Sequence, residues 1–409
     1  MPSDTLTSLP APELYPVPLE PRSRRLESLD MLRGLLMILM ALDHTRDFFS
    51  NSQLNPTDPH ESYPVLYLTR WVTHLCAPGF VALAGCSVYL QRRRGKTVPE
   101  LRRLLITRGL WLILLEFTVI SFGWSFAFMP FLQVIWAVGL SMVGLGLLMG
   151  LPTWAIGAVG GSIALLHNLL DPIRAKSFGN FADVWVLVHQ PGMLMLHGHP
   201  EGFVAYPALA WFGVICLGYA FGPVAASAPE TRRRTAVGLA AGFAAVFSLL
   251  RLHNGYGDSI RFEHLETGTQ TAMSFLNVQK YPPSLEYVLA TFTVLLLLYA
   301  AFDLAASRDW ARPVRRVPET LGRVPFFYYV PHIYLLHLLA IGGTLAMHSD
   351  PQFWFGLGVV SGGPRPAGWG FSLPVVYCVW VSVVAILYGP CLWFSRVKAR
   401  RSDWWLSYL

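Results

Sequence analysis

A chain of 409 residues with 54% hydrophobic and only 13% charged residues departs from a soluble domain, in which about a quarter of residues are charged. Mean hydropathy is +0.45, so the net charge of +7 is read against a membrane and not as the footprint of a nucleic-acid binder. Five cysteines, Cys76, Cys86, Cys216, Cys378 and Cys391, fall in apolar stretches without a CxxC pair, which implies neither a disulfide framework nor a zinc site.

The chain opens on a proline-rich stretch, residues 1–24, with no apolar core; it is neither a cleavable signal nor a span and reads as a disordered cytoplasmic tail. A span takes about 20 largely apolar residues. Ten stretches qualify: 30–49, 67–90, 104–124, 128–150, 152–170, 203–222, 235–251, 284–305, 324–347 and 373–395. The expected fold class is all-α, a polytopic membrane helix bundle over residues 25–396, followed by a second cytoplasmic tail, 397–409. Of the 31 Lys and Arg, 22 fall in the tails and alternate loops that would lie on one face. Basic residues stay cytoplasmic, so both termini are placed there.

The first span carries the densest signal. RLESLDMLRGLLMILMALDHTRDFF, from Arg25 to Phe49, ends its apolar run in Asp43, His44, Arg46 and Asp47. On a helix His44 and Asp47 are neighbours at i, i+3, as are Asp43 and Arg46, so a carboxylate stands within reach of the imidazole. Ionisable groups at membrane depth cost several kcal/mol unless they face a protein interior or a wet cavity, which makes them functional candidates. A solvated helix end is the competing reading. None of the twelve histidines lies in an inner loop, and this asymmetry points to an outward-facing polar site. His44 and His74 occupy the outer halves of spans one and two, His60 lies in the loop between them, and His332 and His337 are in span nine.

Two outer loops exceed ordinary connection length, 171–202 and 252–283. The first contains an apolar piece, Trp185 to Leu196, too short to span and expected to be re-entrant or interfacial. Its segment HQPGMLMLHGHPE gathers His189, His197, His199 and Glu201 without the ligand spacing of a known metal motif, so no metal is expected. Gly146xxxGly150 and Gly157xxxGly161 read as helix packing contacts. In span nine Tyr328 and Tyr329 lie one turn before His332 and can set its tautomer, whereas His337 points about 140° away.

With NPTD (Asn55 to Asp58), LTRWVTHLCAPGFVALAG (Leu68 to Gly85), YPALAWFGVICLGYAFG, FLNVQKYPPSL and GRVPFFYYVPHIYLLHLLA, the opening motif resembles the heparan-α-glucosaminide N-acetyltransferase catalytic-domain family, in its bacterial branch, over residues 25 to 396. The resemblance implies a multi-span enzyme that moves an acetyl group from cytosolic acetyl-CoA to a sugar or glycan amine or hydroxyl on the far side. Acetyl-CoA is then the co-substrate, with Arg33, Arg70, Arg108 and Arg323 as candidates for its phosphates. The catalytic candidates are His44, Asp47, Asp43, His74, His332 and His60. The lysosomal branch has Asn where this chain has His44, and its assigned catalytic His lies in the loop after the first helix, where His60 is the only histidine here.

The expected chemistry is general-base catalysis by His44, oriented by Asp47, with His74 and His332 lining the same cavity. Helix rise puts His44 about 21 Å above Asp30 and His332 about 12 Å up its own span, so His332 is expected to meet the acyl donor and His44 the acceptor. An acetyl-histidine intermediate is the alternative route. A transporter using the same groups as a proton relay is the alternative function. Expected partners are the lipid bilayer, acyl-CoA and the sugar acceptor, with a homodimer as one assembly. Arg outnumbers Lys 27 to 4, which suggests a GC-rich genome and a bacterial plasma membrane.

Overall fold

The computed structural model describes residues 26–51, 54–196, 198–356, 358, 365–401 and 403–407. The tail expected over residues 1–24 and His197 of the HQPGMLMLHGHPE segment lie outside them. The helices, in chain order, are α1 (Glu27–Phe49), α2 (Pro64–Val72), α3 (Cys76–Arg93), α4 (Val98–Leu115), α5 (Ser121–Ser125), α6 (Val134–Leu148), α7 (Thr153–Leu166), α8 (Ala182–Val188), α9 (Ala208–Ala225), α10 (Pro229–His253), α11 (Gly268–Leu276), α12 (Leu285–Ala306), α13 (Arg312–Arg323), α14 (Pro325–Ala346) and α15 (Leu373–Arg400). Among the described residues eight helices are long and apolar enough to cross a membrane, with α2 and α3 forming one of them and α4 continuing through α5 to form another. Two further expected spans correspond to α6, only 15 residues long, and to α1, whose uncharged run between Arg33 and Asp43 is short. The all-α membrane bundle expected from composition is the observed architecture.

Helix ends follow local chemistry. Glu27 and Asp30 complement the N-terminal dipole of α1. Thr97 and Glu100 make a reciprocal capping box on α4, and Ser284 caps α12 by accepting from the Tyr287 N–H. Between α4 and α5 the backbone widens to a π turn, Glu116–Ile120, which projects the buried Glu116 onto the start of α6. There its two oxygens accept from the Gln133 and Trp136 N–H groups at 2.8 and 2.9 Å, satisfying orphan donors that lipid cannot.

Helix α1 packs against α3, α12, α13, α14 and α15. At its inner end the approach is backbone to backbone: a Cβ at Gly34 would overlap the Pro318 carbonyl and one at Gly322 the Asp30 carbonyl. A similar contact joins α3 to α9 through Gly85 and Gly218, a small-residue interface of the kind that holds membrane helices together. Of the glycine motifs read as packing contacts, Gly146 and Gly157 meet neighbouring helices, whereas Gly161 has nothing within 4 Å among the described residues.

The outer loops are built structures. The piece expected to be re-entrant or interfacial forms α8 followed by a hairpin, β2 (Gly192–Leu196) with β3 (His199–Val204), and β3 also pairs in parallel with β1 (Phe131–Leu132). Gly192 before the short apolar run and the proline and glycines that follow it favour a hairpin over a helix too short to reach across lipid. Arg251, fully buried, holds the second loop: it pairs with Glu286 at 3.0 Å and donates to the Phe275, Ile260 and Ser274 carbonyls. Asp258 adds a second pin, accepting from Ile260 N–H, Gln279 N–H and the Ser284 hydroxyl. Burial pushes its carboxyl up from the ordinary aspartate range, and those hydrogen bonds oppose the rise.

Candidate active site

The outer half of α1 and the middle of α14 bring two histidines into direct contact. His44 Nδ1 and His332 Nε2 are 2.7 Å apart, with the rings stacked at a centroid distance of 5.0 Å. Both are buried, His44 with 9% and His332 with 0% of its surface exposed. Trp124 stands edge-on to His44 at 4.8 Å, and the Tyr328 ring stacks on His332 at 5.5 Å. The tyrosine hydroxyls themselves do not reach His332: Tyr328 and Tyr329 offer it their rings and backbone carbonyls.

The 2.7 Å contact fits either direction of proton donation. His332 Nδ1 makes no hydrogen bond of normal geometry but faces the Tyr328 and Tyr329 carbonyls of the preceding turn. With the proton of His332 on that nitrogen, Nε2 accepts from His44 Nδ1–H. His44 Nε2 then keeps its lone pair, the arrangement required of a general base whose ring is held through its other nitrogen.

The expected separation in height between the two histidines collapses to a hydrogen-bond distance. Donor-side and acceptor-side roles on separate levels therefore do not describe the pair.

Asp47 does not orient His44. Its carboxylate takes Arg46 at 2.5 Å and its side chain is 40% exposed, because i, i+3 proximity on α1 loses to the stronger ion pair with its neighbour. Asp43 likewise serves cations. Arg70 lies 3.0 Å from it, Arg46 3.0 Å and Lys280 4.0 Å. Lys280 is also over the Tyr206 and Tyr281 rings, a cation–π setting. Arg365 closes the end of α1 by donating to the Asp47 and Ser50 carbonyls. Positive groups outnumber carboxylates in this cluster, all of Asp43, Lys280, Arg46 and Arg70 act electrostatically on His44, and Arg46 Nη1 is buried without a hydrogen-bond partner among the described residues. The site therefore has both a base and an unspent donor for a developing negative charge.

His74 sits on the turn Thr73–Leu75, buried, near the same four charged groups, with its ring 5.4 Å from Tyr287 and its Nδ1 unpartnered among the described residues. His60 is placed apart: its side chain is 57% exposed and its nearest charge is Glu263 at 3.4 Å. His337 points away from His332 and bonds to the Gly123 and Trp354 carbonyls.

The four arginines proposed for CoA do not form one group. Arg33 bonds to Asp30, the Gly322 carbonyl and Ser87 at the inner end of α1; Arg108 is half-buried in α4 and Arg323 is exposed beside Glu319. Arg70 is instead at the outer end, on Asp43, where the connectivity of α1 and α2 must place it. A cavity of about 400 Å³ bordered by Leu83, Leu217, Phe221, Phe243 and Phe292 contains none of these arginines and has an almost wholly apolar lining, unlike a site for phosphates. Lys280, Arg365 and Trp124 are the residues that sequence reasoning missed. Lys280 had a signal, as one of few basic residues on the outer face, beside the YPPS stop.

None of the curated proteins matches the chain. Residues 25–252, more than half of it, match the family model of the heparan-alpha-glucosaminide N-acetyltransferase, catalytic domain; His44, His74, Asp43 and Arg70 fall within the match, and His332 and Lys280 beyond it. With its membrane helices, the chain thus belongs to the heparan-α-glucosaminide N-acetyltransferase catalytic family of membrane acetyltransferases.

Proposed function

We propose that this protein transfers an acetyl group from acetyl-CoA, presented on the cytoplasmic side of a bacterial plasma membrane, to an amine or hydroxyl of a sugar or glycan on the other side. The observation that carries the reading is the 2.7 Å contact between His44 Nδ1 and His332 Nε2; with the His332 proton on Nδ1, His44 donates through Nδ1 and its Nε2 is the base. In the proposed step the acceptor N–H or O–H gives its proton to His44 Nε2 as it attacks the thioester carbonyl. His332 accepts from the opposite ring nitrogen and steadies the imidazolium. The negative charge on the carbonyl oxygen is met by the Arg46 guanidinium and the cations around it. The C–S bond then breaks, the thiolate recovers the proton from His44, and the products are acetylated acceptor and free CoA. A base so placed contributes about 10² to 10⁴-fold.

Purified protein in detergent, with no ion gradient, is given radiolabelled acetyl-CoA and a panel of amino sugars and glycans. Acceptor-dependent release of CoA is expected. No release with any acceptor rejects the reading in favour of a proton-relay transporter. Label that stays on the protein in the absence of acceptor replaces direct transfer with an acetyl-histidine route.

A further inference from the structure

A second polar cluster stands apart from α1, where α7 runs out into the tight turn His167–Leu170. His167 and Asp171 are spaced i, i+4 and emerge on one side of that turn. The outer loop returns through α8 and sets His189, just past the helix end, against them. His189 Nε2 is 3.1 Å from Asp171 Oδ1, the two imidazoles meet edge to face at 5.9 Å, and one ligand atom from each of the three residues lies within 4.8 Å of the other two.

Both histidines are buried, His167 with 3% and His189 with 2% of its surface exposed. Among the described residues neither His167 ring nitrogen has a hydrogen-bond partner of normal geometry, nor has His189 Nδ1. Buried polar atoms are rarely left so, because each costs about 1–3 kcal/mol. The second oxygen of Asp171 accepts from Asn168 Nδ2 at 2.9 Å, and Asn168 Oδ1 in turn accepts from the Leu285 N–H at 3.0 Å. The carboxylate is therefore held from behind, as ligating carboxylates are. The Pro283 carbonyl also lies near the His167 ring.

We propose that His167, Asp171 and His189 bind one divalent transition-metal ion, zinc by the chemistry of the donor set, which clasps the outer loop 171–202 to the end of α7. Two imidazoles and a single carboxylate suit zinc and its neighbours, whereas calcium and magnesium take oxygen-rich sets. With metal–ligand bonds of about 2.0–2.1 Å, tetrahedral ligand atoms stand roughly 3.4 Å apart. The His189–Asp171 pair is already at that spacing, and the widest gap in the trio closes by little over an ångström. On binding, the proton between His189 Nε2 and Asp171 Oδ1 passes to water, and a water completes the fourth position. Through Asn168 the same ion ties the loop to the start of α12. None of this depends on the acetyl-transfer reading.

The full chain, purified in detergent and freed of any affinity tag, is stripped with a chelator and titrated with zinc chloride or cobalt chloride alone. One equivalent per chain is expected, with the visible absorption of four-coordinate cobalt and a metal-dependent protection of loop 171–202 from protease. His167→Ala and His189→Ala each weaken binding by about 100-fold or more and Asn168→Ala by about 10–100-fold, while His44→Ala keeps the full equivalent. X-ray absorption on the zinc-loaded wild-type protein decides independently of any variant, and two imidazoles in the metal shell are expected. Absence of stoichiometric binding, a shell without histidine, or full binding in a folded His167→Ala/His189→Ala double variant overturns the site.

Discussion

The two ends of α1 use charge differently. At the inner end Arg33 spends its donors on Asp30, Ser87 and the Gly322 carbonyl, and the backbone of α13 lies flush on Gly34; charge there fastens one helix to another. At the outer end Asp43 gathers Arg70, Arg46 and Lys280, and the groups left over are Arg46 Nη1 and the free nitrogen of His44. The difference is one of use: at the inner end the Arg33 guanidinium is taken up by protein acceptors, whereas at the outer end a base and a cationic donor keep capacity for chemistry.

The sharpest way to break the inner end is Gly34→Val. Its side chain has no room against the Pro318 carbonyl, and loss of monodisperse protein in detergent is expected, as in the worst overpacking cases. Next in size is Asp43→Asn at the outer end, which leaves buried cations uncompensated; a loss of about 3–5 kcal/mol is expected in thermal unfolding. Arg46→Lys keeps the charge but removes the unspent nitrogen. Turnover should fall by about 10²-fold, as for loss of one oxyanion donor, with the unfolding temperature little changed. Arg33→Lys sharpens the contrast, since it should lower stability by about 1–2 kcal/mol and leave the KM for acetyl-CoA unchanged, whereas Arg323→Ala should raise that KM without altering the unfolding temperature. The smallest effect belongs to Asp47→Asn, for which a change in kcat within about twofold is expected because its carboxylate is 40% exposed and Arg46 keeps Asp43 as a partner; a large loss would restore its role as the orienter of His44.

The bundle was legible because hydropathy acts through local composition, and α1 declared itself by ending an apolar run in DHTRD. His44 and His332 were expected to line one cavity, but the helix-rise count set them on separate levels, so their direct contact was not legible. What stayed hidden depends on partners far apart in the chain. Arg70 and Lys280 meet Asp43 from 27 and 237 positions away, and no spacing rule reaches that far. Asp47 misled because i, i+3 geometry states who is near, not which of two neighbours binds more strongly. The trio of His167, Asp171 and His189 had half its signal in the i, i+4 pair, but the third residue required the fold of loop 171–202, whose helix and hairpin no local pattern disclosed. The arginines assigned to CoA were grouped by charge, and connectivity divides them between opposite ends.

The central claim is that His44 and His332 act as one unit, and a double-mutant cycle on acetyl transfer tests it most directly. Wild type, His44→Ala, His332→Ala and the double variant are compared in single-turnover release of CoA from radiolabelled acetyl-CoA with saturating acceptor, alongside equilibrium binding of CoA. His44→Ala should lower the rate by about 10² to 10⁴-fold with CoA binding close to unchanged, His332→Ala should lower it less, and the double variant should be no slower than His44→Ala, since groups that work together are not additive. A wild-type rate in His44→Ala, or losses that multiply in the double variant, would contradict the account.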